Sequence, residues 1–147
     1  MATVTSTDAV NPIPSGLYKL RLIVGDVRRS LGFYTGFLGL RIAWTEERTS
    51  GRLSVACVEI NEMELILAGQ GSGRTLPPAG KRGLGVALYL EVQTIGEWFA
   101  RAHEQGYVPL DPVTLEVISQ PVERPGGEIS FALRDPDGYD IRLSELL

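Results

Sequence analysis

The stretch Phe131–Leu143, with the sequence FALRDPDGYDIRL, is the clearest structural signal in this chain. Its centre predicts a tight turn, because Asp135 can accept backbone hydrogen bonds, Pro136 presets its own dihedral angle and Gly138 tolerates a positive one. Residues that alternate between apolar and polar flank the turn on its C-terminal side. The stretch therefore predicts a β-hairpin near the C-terminus.

The composition narrows the class of protein. A chain of 147 residues with 44% hydrophobic and 22% charged residues has enough apolar material for one folded domain, or for two small modules that share a core. The net charge of -4 argues against a nucleic acid or an anionic membrane as partner, because both normally require a basic face. Small molecules or proteins are the expected partners.

The single cysteine, Cys57, permits neither an intrachain disulfide nor a thiolate cluster for a metal. The first residues show no basic and apolar signal-peptide pattern, and no segment approaches 18 consecutive apolar residues. These features predict a cytoplasmic location.

The chain contains an internal repeat. Residues 18–24 and 86–92 both alternate between polar and apolar residues, as half-buried strands do, and a helix pattern follows each of them. Asp26 is a predicted N-cap of the first helix, and Thr94 with Glu97 forms a predicted capping box at the second. Apolar strands are expected next, at 40–44 and 107–110. The pattern is a strand, a helix and three further strands, present twice.

Each predicted helix has an apolar face and a glycine at its end. The face of the first helix comprises Val27, Leu31, Tyr34 and Leu38, and Gly39 ends this helix. The face of the second helix comprises Ile95, Phe99 and Ala102, with Trp98 beside them as a core residue, and Gly106 ends this helix.

The expected organisation has four parts: a mobile N-terminal arm at 1–16, a first module at 17–68, a linker at 69–83 and a second module at 84–147. The linker is rich in glycine, but Pro77 and Pro78 leave no helix start that could make it a phosphate loop. Lys81 and Arg82 are accordingly expected to lie on a solvated edge and not in an anion site.

Three segments together resemble the vicinal oxygen chelate superfamily, which includes glyoxalase I, extradiol dioxygenases, fosfomycin resistance enzymes and bleomycin resistance proteins. They are Asp26–Tyr34, Phe37–Leu40 and the turn Asp135–Gly138, set within the repeat. The resemblance covers residues 17–147. It implies an α+β fold of two tandem βαβββ modules, whose mixed sheets form cups with helices on their convex faces. Two cups, within one chain or across a homodimer, would enclose a site.

Metal-using members of that superfamily take their ligands from the first and fourth strands of each module. The repeat places these positions at Lys19, Glu64, Ala87 and Arg142, of which only Glu64 has a suitable donor. The only histidine, His103, lies in the second predicted helix, where a surface or packing role is expected. The resemblance therefore implies a member with no metal and no cofactor.

Strand alternation predicts a charged cup lining with two aromatic residues, in which Trp44 and Tyr89 could stack on a flat ligand. An alternative is that the charges are solvated or neutralise each other, for example as Arg142 with Glu64 or Lys19 with Glu91. The predicted ligand-binding residues are Lys19, Arg21, Trp44, Tyr89, Glu91, Asp140 and Arg142.

Two functions are compatible with this pattern. The first is a binding protein of the bleomycin resistance type, which sequesters a small aromatic or polar compound between modules or subunits. The second is an enzyme, either a lyase, an isomerase or a dioxygenase-like protein, which could be metal-free or metal-dependent. In this enzyme Glu64 would be the general base, and Arg142 or Lys19 would hold an oxyanion. A carboxylate beside two cations is a poor base, so the sequence favours binding.

Overall fold

A computed structural model describes residues 12–48, 50–69 and 81–147. Most of the expected arm, residues 1–11, and most of the expected linker, residues 70–80, lie outside the described residues. The helices in the described ranges are too short or too polar to cross a membrane.

The described chain forms the same succession of elements twice. The first module consists of β1 (Lys19–Ile23), α1 (Val27–Leu31) with a π-helical continuation (Gly32–Phe37), β2 (Arg41–Glu47), β3 (Leu53–Ile60) and β4 (Met63–Ala68). The second consists of β5 (Ala87–Glu91), α2 (Ile95–Glu104), β6 (Val122–Arg124), β7 (Glu128–Arg134) and β8 (Asp140–Leu146).

Each module contributes one four-stranded mixed sheet. The strand orders are β1-β4-β3-β2 and β5-β8-β7-β6, so that the first strand of each module pairs in parallel with its last strand. The predicted α+β fold of two tandem βαβββ modules, with sheets that form open cups, is confirmed. The C-terminal hairpin is also confirmed, since β7 and β8 pair around Asp135–Gly138 and Gly138 has a φ of 93°.

The first helix begins as predicted but changes type. The Asp26 carboxylate accepts hydrogen bonds from the backbone N–H groups of Arg28 and Arg29 and so caps the helix. After Leu31 the backbone is π-helical, and the N–H of Leu38 donates to the carbonyl of Phe33 at 3.0 Å. Phe33 and Phe37 are buried with Tyr34 and Leu38, although the predicted apolar face did not include them.

The predicted capping box of the second helix is wrong. Thr94 adopts a left-handed conformation, with φ of 53°, and its hydroxyl donates to the carbonyl of Gln93 instead of accepting from the first turn. The N–H of Ile95 donates to the Glu145 carboxylate at 2.9 Å. A side chain on β8 therefore caps this helix, while its apolar stripe is buried as predicted.

The strand expected at 107–110 is also wrong. Leu110 alone makes isolated bridges, to Val117 and Ala132, and the chain reaches β6 through a long loop. Pro109 and Pro112 lack the N–H groups that a strand ladder needs, which explains why no regular strand forms.

The two modules share one hydrophobic core. It joins the helix-facing sides of both sheets, and Phe37 of the first module packs edge-on against Trp98 of the second, with ring centroids 5.8 Å apart. The predicted core position of Trp98 is thus confirmed.

The C-terminal turn is tied to the first module by a buried carboxylate. Asp137 is fully buried and accepts hydrogen bonds from the N–H of Gly25 at 2.9 Å and from the guanidinium of Arg82. The expected solvated position of Arg82 is therefore wrong, because only 12% of its side chain is exposed. Asp135, in the same turn, accepts from the Tyr34 hydroxyl at 2.7 Å.

Candidate functional site

The face of the first sheet that points away from the helices carries a row of four charged residues, with the two acids between the two bases. Lys19 and Glu64 are register partners on β1 and β4, and their charged groups lie 3.3 Å apart. At the other end of the row, the Arg41 guanidinium donates to the Glu59 carboxylate at 2.7 Å. Because each acid has a basic partner, the row is neutral overall.

The next row on this face is mostly apolar. Ile66 and Cys57 are register partners that form a small cluster separate from the main core, and burial and the nearby Glu64 raise the pKa of the Cys57 thiol. Arg21 lies beside Ile66, and Trp44 lies beside Cys57 with 42% of its surface exposed. This face thus offers an exposed indole and an exposed guanidinium around an apolar patch.

The corresponding face of the second sheet is organised by Arg142. Its guanidinium donates to both carboxylate oxygens of Asp140, at 3.3 and 3.0 Å, and to the Tyr89 hydroxyl at 3.2 Å. It also lies over the Tyr89 ring, 5.5 Å from the centroid. The hydrogen bonds with Asp140 raise the pKa of Arg142, so that this side chain stays charged. The three residues form one preorganised polar and aromatic unit.

A pocket of about 300 Å³ opens on this second face. The loop residues Pro112 and Val113 line one side of it, and the other lining residues are Tyr89, Arg124, Pro125, Glu128, Ser130 and Arg142. Ser144 is the register partner of Ser130 on the same strand face, and its hydroxyl is buried without a hydrogen-bond partner among the described residues. Glu91, its other register partner, is exposed at the end of β5.

The predicted site residues therefore form two groups. Lys19, Arg21, Glu64 and Trp44 share the face of the first sheet, whereas Tyr89, Glu91, Asp140 and Arg142 share the face of the second. The charges pair as Lys19 with Glu64 and Arg142 with Asp140, not as Arg142 with Glu64 or Lys19 with Glu91.

Sequence reasoning missed Arg124, Ser130 and the loop at Pro112. Alternation along β7 would have placed Ser130 on the same face as Arg142, had it been applied to that strand. The position of the loop had no sequence signal, because it depends on contacts between distant segments.

The side chains at the four ligand positions of metal-using relatives do not fit a metal ion. Lys19 and Arg142 are cations, Ala87 has no donor atom, and the one carboxylate, Glu64, is engaged by Lys19. Within the described residues, no group of three or more His, Cys, Asp or Glu side chains is close enough to hold a metal ion.

The family model described as Glyoxalase/Bleomycin resistance protein/Dioxygenase superfamily matches residues 16–143. The chain belongs to this superfamily. A comparison with curated protein sequences gave no significant match.

Solved structures of the superfamily fold resemble this chain along most of its length. TnmS3, an antibiotic binding protein from Streptomyces sp. CB03234, is 19% identical with a TM-score of 0.67, and the match covers 93% of this chain and 100% of TnmS3. A glyoxalase family protein from Bacillus anthracis is 17% identical with a TM-score of 0.68, covering 93% and 99%. TioX from Micromonospora sp. ML1 is 16% identical with a TM-score of 0.66, covering 90% and 100%. At these identities the likeness concerns the fold.

Proposed function

We propose that this member of the superfamily is a small-molecule-binding protein that sequesters an aromatic or polar compound between its sheet faces without chemical change. One observation carries the proposal: the charged groups at the equivalent ligand positions are held in ion pairs, Lys19 with Glu64 and Arg142 with Asp140, beside exposed aromatic rings. Paired charges and aromatic rings can orient a ligand, and binding needs no group left free to react.

The second-sheet pocket provides the proposed ligand contacts. Tyr89 is 61% exposed, and its hydroxyl is held by Arg142, so the ring is available for stacking in a fixed orientation. TnmS3, an antibiotic binding protein of the same fold, supports small-molecule binding as the function.

The enzymatic alternative is less well supported. The Lys19 ammonium lies 3.3 Å from the Oε1 atom of Glu64, so a proton taken up by this carboxylate would remove the charge that balances Lys19. Arg142, the proposed oxyanion holder, is engaged by Asp140 on the other sheet.

We further propose a homodimer in which the first-sheet face of one copy covers the second-sheet face of the other. Trp44 of the edge strand β2 lies on the open face beside Cys57 and is 42% exposed. Exposed apolar residues on an open sheet face are typical of a surface that another chain covers. Sedimentation at twice the 16.0 kDa of one chain is expected, and Trp44→Arg should shift the protein toward monomer. A wild-type monomer would contradict the dimer.

A cytoplasmic location remains a prediction from the single cysteine.

A thermal-shift screen against aromatic natural products, organic acids and divalent ions tests the binding function. A ligand at 100 times its Kd should add about 2.7 kcal/mol to the free energy of unfolding. Tyr89→Leu should abolish the shift, while Tyr18→Leu, at an exposed position away from the pocket, should retain it. A ligand that is turned over, with turnover lost in Glu64→Gln, would favour the enzyme instead.

A further inference from the structure

A cavity lies at the junction of the two modules. β1 and β5 are edge strands of separate sheets with no ladder of backbone hydrogen bonds between them, so side chains alone fill the space where they meet. Leu20 of β1 and Leu88 and Leu90 of β5 point toward the shared core there. They leave a cavity of about 140 Å³, which we call the junction cavity.

The chemistry of the junction cavity is that of an apolar site. Leucine, isoleucine and methionine side chains make most of its wall. The three other lining residues already have partners: Tyr34 is bound to Asp135 at 2.7 Å, Tyr89 to Arg142 and Glu64 to Lys19. Water finds few free partners in such a space, and an engineered apolar cavity of about 150 Å³ binds benzene. The junction cavity therefore suits an apolar group of about that size.

The junction cavity is connected with the proposed ligand site. Tyr89 lines both the junction cavity and the second-sheet pocket, and Glu64 of the first-sheet charge row lines the junction cavity as well. A ligand that stacks on Tyr89 can thus place an appended group in the junction cavity while its polar part stays near Arg142.

We infer that the ligand carries a single aromatic ring or a short branched alkyl group that enters the junction cavity. This inference rests on the proposed binding function and specifies the class of its ligand: an amphipathic compound with a polar or planar body and one compact apolar group. Leu88, which lines the junction cavity but not the second-sheet pocket, would then determine the size of the group that is accepted.

Benzene and naphthalene are suitable probes, with Kd measured by NMR titration of the full chain. Benzene should bind the wild type, and naphthalene should bind at least about 10-fold more weakly because the junction cavity holds one ring. Leu88→Phe should weaken benzene binding at least about 10-fold by filling the space, and Leu88→Ala should improve naphthalene binding by enlarging it. Leu84→Phe and Leu84→Ala, at a position with 69% exposure, are the matched controls and should change neither Kd.

Equal benzene affinity in the wild type and Leu88→Phe would overturn the inference, as would a wild type that does not bind benzene. If Leu88→Phe does not fold, an unchanged size preference in Leu88→Ala overturns it equally. If the protein binds a screen ligand through Tyr89 but does not bind benzene, the inference about the junction cavity is contradicted and the proposed binding function is not. A chain that binds benzene but no screen ligand supports the junction cavity and contradicts the proposed function.

Discussion

At the scale of single residues, Asp137 makes the strongest electrostatic contact between the two modules. Its carboxylate is fully buried and contacts the guanidinium groups of Arg82 and Arg29 as well as the N–H of Gly25. Asp137→Asn should lower the free energy of unfolding by about 3 kcal/mol, because the Arg82 side chain, of which only 12% is exposed, loses the charge that compensates its own. Urea denaturation measures the loss.

Asp26→Asn is the matched control for this change. Asp26 is exposed and caps α1 through an oxygen that an asparagine also supplies, so a change of less than about 0.5 kcal/mol is expected. If Asp137→Asn and Asp26→Asn lower the free energy of unfolding equally, the buried contact between Asp137 and Arg82 has no special role in stability.

Asp135 makes stability depend on pH. Burial raises its pKa above the ordinary value of 3.8, although hydrogen bonds from Tyr34 and the turn backbone act in the opposite direction. The folded chain therefore holds this proton more readily than the unfolded chain, and stability is greatest below the ordinary pKa and falls as the pH rises through the raised one. The asparagine of Asp135→Asn can still accept hydrogen bonds from the N–H groups of Asp137 and Tyr139, and it does not titrate in this pH range.

We expect the free energy of unfolding of the wild type to fall relative to that of Asp135→Asn as the pH increases from 3.8. The total fall should be about 1.4 kcal/mol for each unit by which the pKa is raised. Denaturation curves recorded from pH 3 to 7 give this difference directly. A difference that stays constant, or that rises with pH, would show that the pKa is not raised.

At the scale of elements, the π-helical segment after α1 contains a glycine that needs no special conformation. A Cβ at Gly36 would meet nothing within 4 Å, whereas one at Gly83, where φ is +76°, would overlap the Tyr139 ring. Gly36→Ala should stabilise the chain by about 0.5 to 1 kcal/mol, because glycine loses more backbone freedom on folding. Gly83→Ala should destabilise it by at least about 1 kcal/mol. Thermal unfolding of both variants tests this contrast, and a destabilised Gly36→Ala would contradict it.

The start of α2 offers a second test of local structure. Glu145→Ala should cost about 1 kcal/mol, because it removes the acceptor of the Ile95 N–H, while Thr94→Ala should cost less, since the Thr94 hydroxyl does not cap the helix. The reverse order in urea denaturation would reinstate the capping box that the sequence predicts.

These two elements show where sequence reasoning fails. Asp26 was predicted correctly because an N-cap depends on residues that are neighbours in the chain. The cap from Glu145 and the π-helical turn depend on packing between segments far apart in sequence, and no local pattern of residues 94–97 or 32–37 reports that packing.

At the scale of the whole molecule, the repeat and the turn at Asp135–Gly138 were sufficient to predict two βαβββ modules, because alternation and turn chemistry are local signals. Alternation also placed Lys19, Glu64, Tyr89 and Arg142 on the open sheet faces. It could not predict which charges pair, because strand register sets Lys19 beside Glu64, whereas Arg142 pairs with Asp140 on its own strand. The pairing required the structure, and it supports the preference for binding that the sequence already gave.

The central claim, that the paired charges bind a ligand without metal or chemistry, is tested most directly by titrating the best ligand of the screen into protein dialysed against EDTA, and by analysing the recovered ligand by NMR and mass spectrometry. We predict saturable binding with the same Kd as untreated protein and a ligand of unchanged structure and mass. Binding that appears only after a divalent ion is restored, or a recovered compound of altered structure or mass, would contradict the account.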